Sequence, residues 1–329
     1  MAGPYYVEPA VGNDSNAGTS WGAGNAWATL QKAVDTVAAG ETVYCRGTES
    51  ISAAIDFDGT DGTVASRINI IGCNEAGDDD GTYYTIAAGS STCHGINAAG
   101  QDFITLKNIE LTSSAAGAYN GIDVSSISSN WILDNCKIDG FPTNGIDGSS
   151  YLYYAYFYRL VVVNCGNHGV NGLSASARIN FCRIMDNGGS GVVSSYAVSV
   201  YGTVISGNTN WGIYSGDGGS VLYNCVLDNN GEDGFHCTDA GVADEPNDFI
   251  GCRFTNNTSD GVSSAGARIM LVGCYFGGNG TDINGANIQD FKLNTTGGSD
   301  TDQGYLDPTN NLFNLRNDAT LRSQEIQLP

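Results

Sequence analysis

Positive charge is what this chain has least of. Thirteen lysines and arginines face 35 aspartates and glutamates, a net charge of −22. A chain so acidic repels nucleic acid and anionic membrane, so neither is expected as a partner. It would also repel a polyanionic sugar unless bound cations intervened. Histidine is scarce too, at three residues, and proline at six, which sets the chain apart from proline-rich disordered linkers. No run approaches the roughly 18 consecutive apolar residues of a membrane-spanning helix. Met1-Ala2-Gly3-Pro4 leads straight into Tyr5-Tyr6-Val7 without a basic or apolar leader, so no signal peptide is expected and synthesis in a reducing cytosol is. No Cys-x-x-Cys pair is present to argue for a thiolate metal site, and no cofactor is expected.

Glycine, by contrast, is abundant at 46 residues, and aspartate outnumbers glutamate more than three to one. Both belong to turn chemistry. The glycines repeat. A small or polar residue, Gly and a bulky apolar residue recur as His94-Gly95-Ile96, Asn120-Gly121-Ile122, Asn144-Gly145-Ile146 and His168-Gly169-Val170. The series continues through Ser190-Gly191-Val192, Trp211-Gly212-Ile213, Asp233-Gly234-Phe235 and Asp260-Gly261-Val262. Glycine-to-glycine steps are 26, 24, 24, 22, 21, 22 and 27 residues. Between them lies a short apolar strand closing on Asn or Gly and then Cys, at Cys136, Cys165, Cys182, Cys225, Cys252 and Cys274. Thr203 and Ile109 fill the cysteine slot in two further copies, and Cys73 marks a degenerate first one. Strands of 3–6 residues broken by Gly, Asn and Asp within each unit, without helical periodicity, predict an all-β solenoid: a single right-handed parallel β-helix of roughly eight to ten coils. Stacking then aligns the cysteines as an inward ladder of free thiols, disfavouring disulfides.

One segment does read as a helix. Residues 26–39 carry Thr29 as N-cap, an apolar stripe of Leu30, Ala33, Val34 and Val37, and Gly40 as a stop. It is expected to cap the N-terminal opening of the solenoid. The division that follows is an N-terminal segment with capping helix (1–41), the coils (42–285) and a C-terminal cap or docking segment (286–329).

The opening, Tyr5-Tyr6-Val7, Gly12-Asn13-Asp14-Ser15-Asn16-Ala17-Gly18-Thr19, Ala26-Trp27-Ala28-Thr29-Leu30-Gln31-Lys32-Ala33-Val34 and Gly40-Glu41-Thr42-Val43-Tyr44, resembles that of the pectate-lyase-like right-handed β-helix proteins. The closing stretch Asn314-Leu315-Arg316-Asn317-Asp318-Ala319-Thr320-Leu321-Arg322-Ser323 is similar to ends of phage-type members. The resemblance implies the fold but not one activity, because that family mixes polysaccharide lyases, glycoside hydrolases, phage tailspikes and non-catalytic virion proteins.

Family catalytic signatures are missing. Neither the Arg-x-Pro-x-x-Arg motif of pectate lyases nor the Asn-Thr-Asp, Asp-Asp, Gly-His-Gly, Arg-Ile-Lys set of polygalacturonases is present. Lysines number four (Lys32, Lys107, Lys137 and Lys292). The best local group for acid–base work is Asp233, His236, Asp239, Asp244 and Glu245, on the longest late insertion. Asp78-Asp79-Asp80 offers carboxylates for Ca²⁺, but charge runs are mostly solvated turns, and no metal is expected. His94 and His168 stand in the slot before the repeat glycine, where a turn role accounts for them. The aromatic run Tyr151-Leu152-Tyr153-Tyr154-Ala155-Tyr156-Phe157-Tyr158 should expose one face as a protein interface or sugar-stacking platform, with Tyr151, Tyr153 and Phe157 on one side and Tyr154, Tyr156 and Tyr158 on the other. With these signatures absent, the expectation is a non-enzymatic phage virion protein: a capsid decoration, fibre or spike component, homotrimeric and bound to other virion proteins. Its alternatives are a polysaccharide-degrading enzyme or a carbohydrate-binding adhesin.

Overall fold

A computed structural model describes residues 4–59, 61–98, 100–124, 126–174, 176–239, 246–285, 288–290 and 295–297. The chain winds as a right-handed parallel β-helix whose coils contribute one strand each to three parallel sheets, of 12, 11 and 11 strands. One coil shows the plan. Ile132–Asp134 lies in the first sheet, Lys137–Asp139 in the second and Ile146–Tyr153 in the third. About eleven coils exceed the eight to ten read from glycine, because the first coils, with Thr48–Ser50 and Ile55–Asp56, lack that motif. At a strand spacing of about 4.8 Å the rod is about 50 Å long.

Period-two alternation turns one residue of each strand inward, and stacking makes ladders of them. In the third sheet Ile96, Ile122, Ile146, Val170, Val192, Ile213, Phe235 and Val262 succeed one another, each at most 3% exposed. Burial of each such side chain contributes roughly 1.5–3 kcal/mol. The repeat glycines stand just before these ladders for a steric reason. A Cβ on Gly145 would lie 2.3 Å from Val162 Cγ1 and 2.6 Å from the Gly169 carbonyl oxygen.

The corner between the first and second sheets holds a residue in left-handed backbone, Asn135 (φ 51°) or Asn224 (φ 51°) for example, and then the cysteine. Cys225 Sγ lies 3.3 Å from the Tyr223 carbonyl of its own coil and 3.4 Å from Val200 of the coil before. Thr203 substitutes there because its Oγ1 reaches the equivalent Tyr201 and Ile179 carbonyls, at 3.1 and 3.2 Å. All ten cysteines are free and buried. Six of them share this ladder rather than one per coil. Cys165 is not among them: it follows the second-sheet strand Val161–Val163, and Leu160 takes the cysteine slot of that coil.

The next corner holds a ladder of buried asparagines. Asn187, Asn208, Asn230 and Asn257 are each 1% exposed. Each amide nitrogen donates to the Oδ1 of the next asparagine at 2.9–3.0 Å, ending on Asn279. The backbone N–H of each donates to the same oxygen. Buried polar groups are thus paired coil to coil.

The N-terminal cap is shorter than expected. The helix spans Leu30–Val34, with Thr29 as its N-cap accepting from the Lys32 N–H at 3.1 Å. Ala26 and Trp27 are held out of it, since Trp27 bridges to Val7 and its carbonyl accepts from Glu8. Tyr5–Val7 pairs with Thr42–Cys45 as the first strand of the first sheet, so the N-terminal segment contributes a strand to the solenoid as well as its cap. Buried Glu49 joins cap to coils, accepting from the Leu30 N–H at 2.9 Å and from the Tyr84 hydroxyl. At the other end Ile288–Asp290 and Thr295–Gly297 continue the first and second sheets. The remainder of the expected C-terminal segment, with Lys292, lies outside the described residues.

Candidate active site

Each third-sheet strand turns its second residue outward, and the residue before the repeat glycine flanks it three positions earlier. Stacking therefore lines two columns along the rod: His94, Asn120, Asn144, His168, Ser190, Trp211, Asp233 and Asp260 in one, and Asn97, Asp123, Asp147, Asn171, Val193, Tyr214, His236 and Ser263 in the other. This stripe crosses eight coils, about 35 Å at the strand spacing.

Its C-terminal half brings together two of the residues singled out in the sequence. Asp233 and His236 meet with Oδ2 and Nδ1 2.7 Å apart. Asp233 is buried, and its other oxygen accepts the Asp260 N–H at 2.8 Å. A carboxylate anchored in this way meets Nδ1, orients the ring and leaves Nε2 as its outward nitrogen. His236 Nε2 has no partner among the described residues, and the side chain is 26% exposed. The ring packs against Trp211 (centroids 5.2 Å apart, 27° between planes) and Tyr214 (5.7 Å, 18°) from the preceding coil. The result is a histidine oriented for proton transfer, flanked by two aromatic faces of the type on which sugars stack. Trp211 and Tyr214 were missed as site residues. Their signal was present, since Trp211 fills the pre-glycine slot and Tyr214 the outward strand position one coil before Asp233 and His236.

The N-terminal half is polar and tightly bonded. Asp147 accepts from Asn171, Ser149 and Asn144 at 3.1 Å. Asn120 Nδ2 lies 2.7 Å from Asp123 and 3.4 Å from Asp147, bridging carboxylates on adjacent coils. His94 Nδ1 accepts the Asn120 N–H at 3.0 Å and His168 Nδ1 the Ser190 N–H at 2.9 Å. With its lone pair so used, Nδ1 is the acceptor nitrogen of each ring, and His94 Nδ1 stands 3.8 Å from Asp123, beyond hydrogen-bond reach. Burial holds His168 below the ordinary histidine range. Both histidines serve turns.

The other expected residues divide. Asp239 follows the strand Phe235–Cys237 on the loop side, where its carbonyl accepts from Ala267, and it takes no part in the Asp233–His236 contact; Asp244 and Glu245 lie outside the described residues. Asp78, Asp79 and Asp80 form a bonded turn: Asp79 pairs with Lys107 and Asn108, Asp80 accepts from Asn74 and the Thr82 N–H, and the Asp78 N–H donates to Asn74. Among the described residues no group of three or more His, Cys, Asp or Glu side chains could hold a metal. No helix among them is long and apolar enough to cross a membrane.

The aromatic run is not one strand. The third-sheet strand ends at Tyr153, Tyr154 turns the corner at φ 53°, and Tyr156–Tyr158 is the next coil's strand in the first sheet. Phe157 is fully buried, which removes it from any interface; Tyr156 and Tyr158 are half-buried, Tyr154 is exposed and Tyr153 half-buried. The side chain of Tyr151 lies outside the described residues. An aromatic row does form, but across coils: Tyr158, Phe181, Tyr201 and Tyr223, at successive centroid separations of 5.7, 5.2 and 6.3 Å.

Residues 94–244 match the right-handed β-helix region family. No curated protein matches the sequence. Among solved structures the chain is similar to the pectate lyase Pel9A (TM-score 0.56, 16% identity, 88% of this chain and 78% of that one). It is also similar to the A-module of the Azotobacter vinelandii mannuronan C-5 epimerase AlgE6 (TM-score 0.51, 12% identity, 79% and 91%). A third is the ORF18 protein of Geobacillus virus E2 (TM-score 0.60, 16% identity), of which the chain spans 57%. The fold is that of the pectate-lyase-like right-handed β-helices. The expectation of a non-enzymatic chain is contradicted by the likeness to a pectate lyase and to a mannuronan C-5 epimerase. Asp233 and His236 share one coil and one short sequence motif, whereas the aromatic flanks Trp211 and Tyr214 come from the coil before.

Proposed function

We propose that this chain is a polysaccharide-degrading enzyme that binds its substrate along the third-sheet stripe and uses His236 for proton transfer. The observation that carries the reading is the Asp233–His236 pair, at 2.7 Å, packed against Trp211 and Tyr214 of the preceding coil on an outward face. The aromatic faces support a pyranose by stacking, while Nε2 takes or returns a proton at the reacting sugar. The Asp123–Asp147 network, about four coils or 20 Å away, presents carboxyl oxygens and amides to more distant sugar units. A stripe of this length suits a polymer rather than a small sugar. Names among the similar structures, a pectate lyase and a mannuronan C-5 epimerase, agree with a polysaccharide substrate.

The test is incubation of the full chain with a panel of neutral and uronate polysaccharides, scoring reducing ends and unsaturated ends. Product release from at least one polymer is expected, with His236→Ala lowering turnover by about 100-fold or more. Absence of product from every polymer, or full turnover in His236→Ala, overturns the proposal.

A further inference from the structure

The outward face of the first sheet carries a second site unrelated to the Asp233–His236 pair. A cavity of about 430 Å³ opens there, lined by Tyr154, Ala155, Tyr156, Ser176, Arg178 and Asn180. Cations are few on this chain, and several are neutralised: Arg46 by Glu8, Lys107 by Asp79, Lys137 by Glu110 and Asp139, and Arg159 by Asp134. Arg178 is exposed and has no acidic partner among the described residues. Beside it Asn180 Nδ2 donates to the Tyr156 hydroxyl at 3.3 Å, so amide, phenol and guanidinium converge on one opening. Tyr156 and Tyr158 stack at 6.1 Å and 18°, and the row Phe181, Tyr201 and Tyr223 continues from them.

We propose that this cavity binds an acidic sugar unit of a glycan, the Arg178 fork holding its carboxylate and the tyrosine faces its ring. A guanidinium without an acidic partner among the described residues, in a chain of net charge −22, is a local reversal of the prevailing field, and a planar fork matches a carboxylate bidentately. Rings spaced by single coils repeat along the rod at about the strand spacing, a step similar to one hexose of an extended chain. The site would hold a polymer on the first sheet while the third sheet acts on it. This rests on the proposed function only for that last step; binding itself does not.

Isothermal titration of full-length His236→Ala with hexagalacturonate, and with cellohexaose as neutral control, tests it. Acid-selective binding is expected, and adding Arg178→Ala should cost roughly tenfold or more in affinity for the uronate alone. Arg178→Lys should recover only part of it. Equal affinity with and without Arg178, or no preference for the acidic oligomer, overturns the site. So does sedimentation showing oligomers that Tyr154→Ala dissociates, since the face would then be a contact between copies. Cleavage that persists without acid-selective binding sinks this proposal alone. Acid-selective binding without cleavage sinks only the enzymatic reading.

Discussion

His168 and His236 lie on one stripe of one sheet, three coils apart, and do different things because of what meets Nδ1. In the N-terminal half, His168 stands in the pre-glycine slot and accepts a backbone N–H from the next coil, as Asn120 and Asn144 do with Oδ1. In the C-terminal half, His236 stands at the outward strand position and meets a buried carboxylate. The first arrangement spends the ring on the scaffold and keeps it neutral. The second orients the ring and leaves Nε2 toward solvent. Residue type therefore does not mark function along this stripe; the hydrogen-bond partner does.

The sharpest way to break that contrast is to change both histidines. His236→Ala is expected to lose turnover by about 100-fold or more, whereas His168→Asn should retain the wild-type rate. Equal losses would show that the halves act together. Beneath both halves the asparagine ladder should matter for folding rather than chemistry. Asn230→Leu leaves the Asn208 N–H and amide without an acceptor, and about 3 kcal/mol of stability should be lost in denaturant titration.

A third measurement uses pH. His168 is held below the ordinary histidine value by burial, so the unfolded chain takes up a proton that the folded one resists. Stability owed to the neutral ring is complete above about pH 6.5 and is lost as pH falls below it. His168→Asn keeps an acceptor for the Ser190 N–H, so its thermal midpoint should match wild type at neutral pH and exceed it in acid. No difference in acid would mean the ring is not the sensitive group. The smallest effect should come from the cysteine corner. Cys225→Ser retains a hydroxyl near the same two carbonyls, as Thr203 does, and should cost no more than about 1 kcal/mol. Burial pushes the Cys136, Cys165 and Cys182 thiols up to about 12, so thiol reagents should label the native chain slowly and the unfolded chain fully.

Much of the scaffold was legible from residue spacing. The glycine steps reported the coil length because a Cβ at those positions collides with the neighbouring coil. Thr29 was recognisable as an N-cap, although Trp27 was drawn from the helix by its bridge to Val7. Asp233 and His236 could be read together because they stand three positions apart in the chain. Trp211 and Tyr214 were not, since only stacking carries them one coil forward onto the same imidazole. The aromatic run misled for the opposite reason: neighbours in sequence, Phe157 and Tyr158, face opposite ways, while Phe181, Tyr201 and Tyr223 join the row from other coils.

Local chemistry was enough to specify the coil: where the chain turns left-handed, which residue of each strand faces inward, and which small side chain fits each corner. Those choices depend on neighbours a few residues apart, so they are written in the sequence order. Register between coils is a different matter. Loops of unequal length decide which residue stacks on which, and only the wound chain brings residues some 22 positions apart into contact. That stacking made ladders of the asparagines, left Cys165 off the cysteine ladder, and set an aromatic pair beside one histidine and a backbone amide beside another.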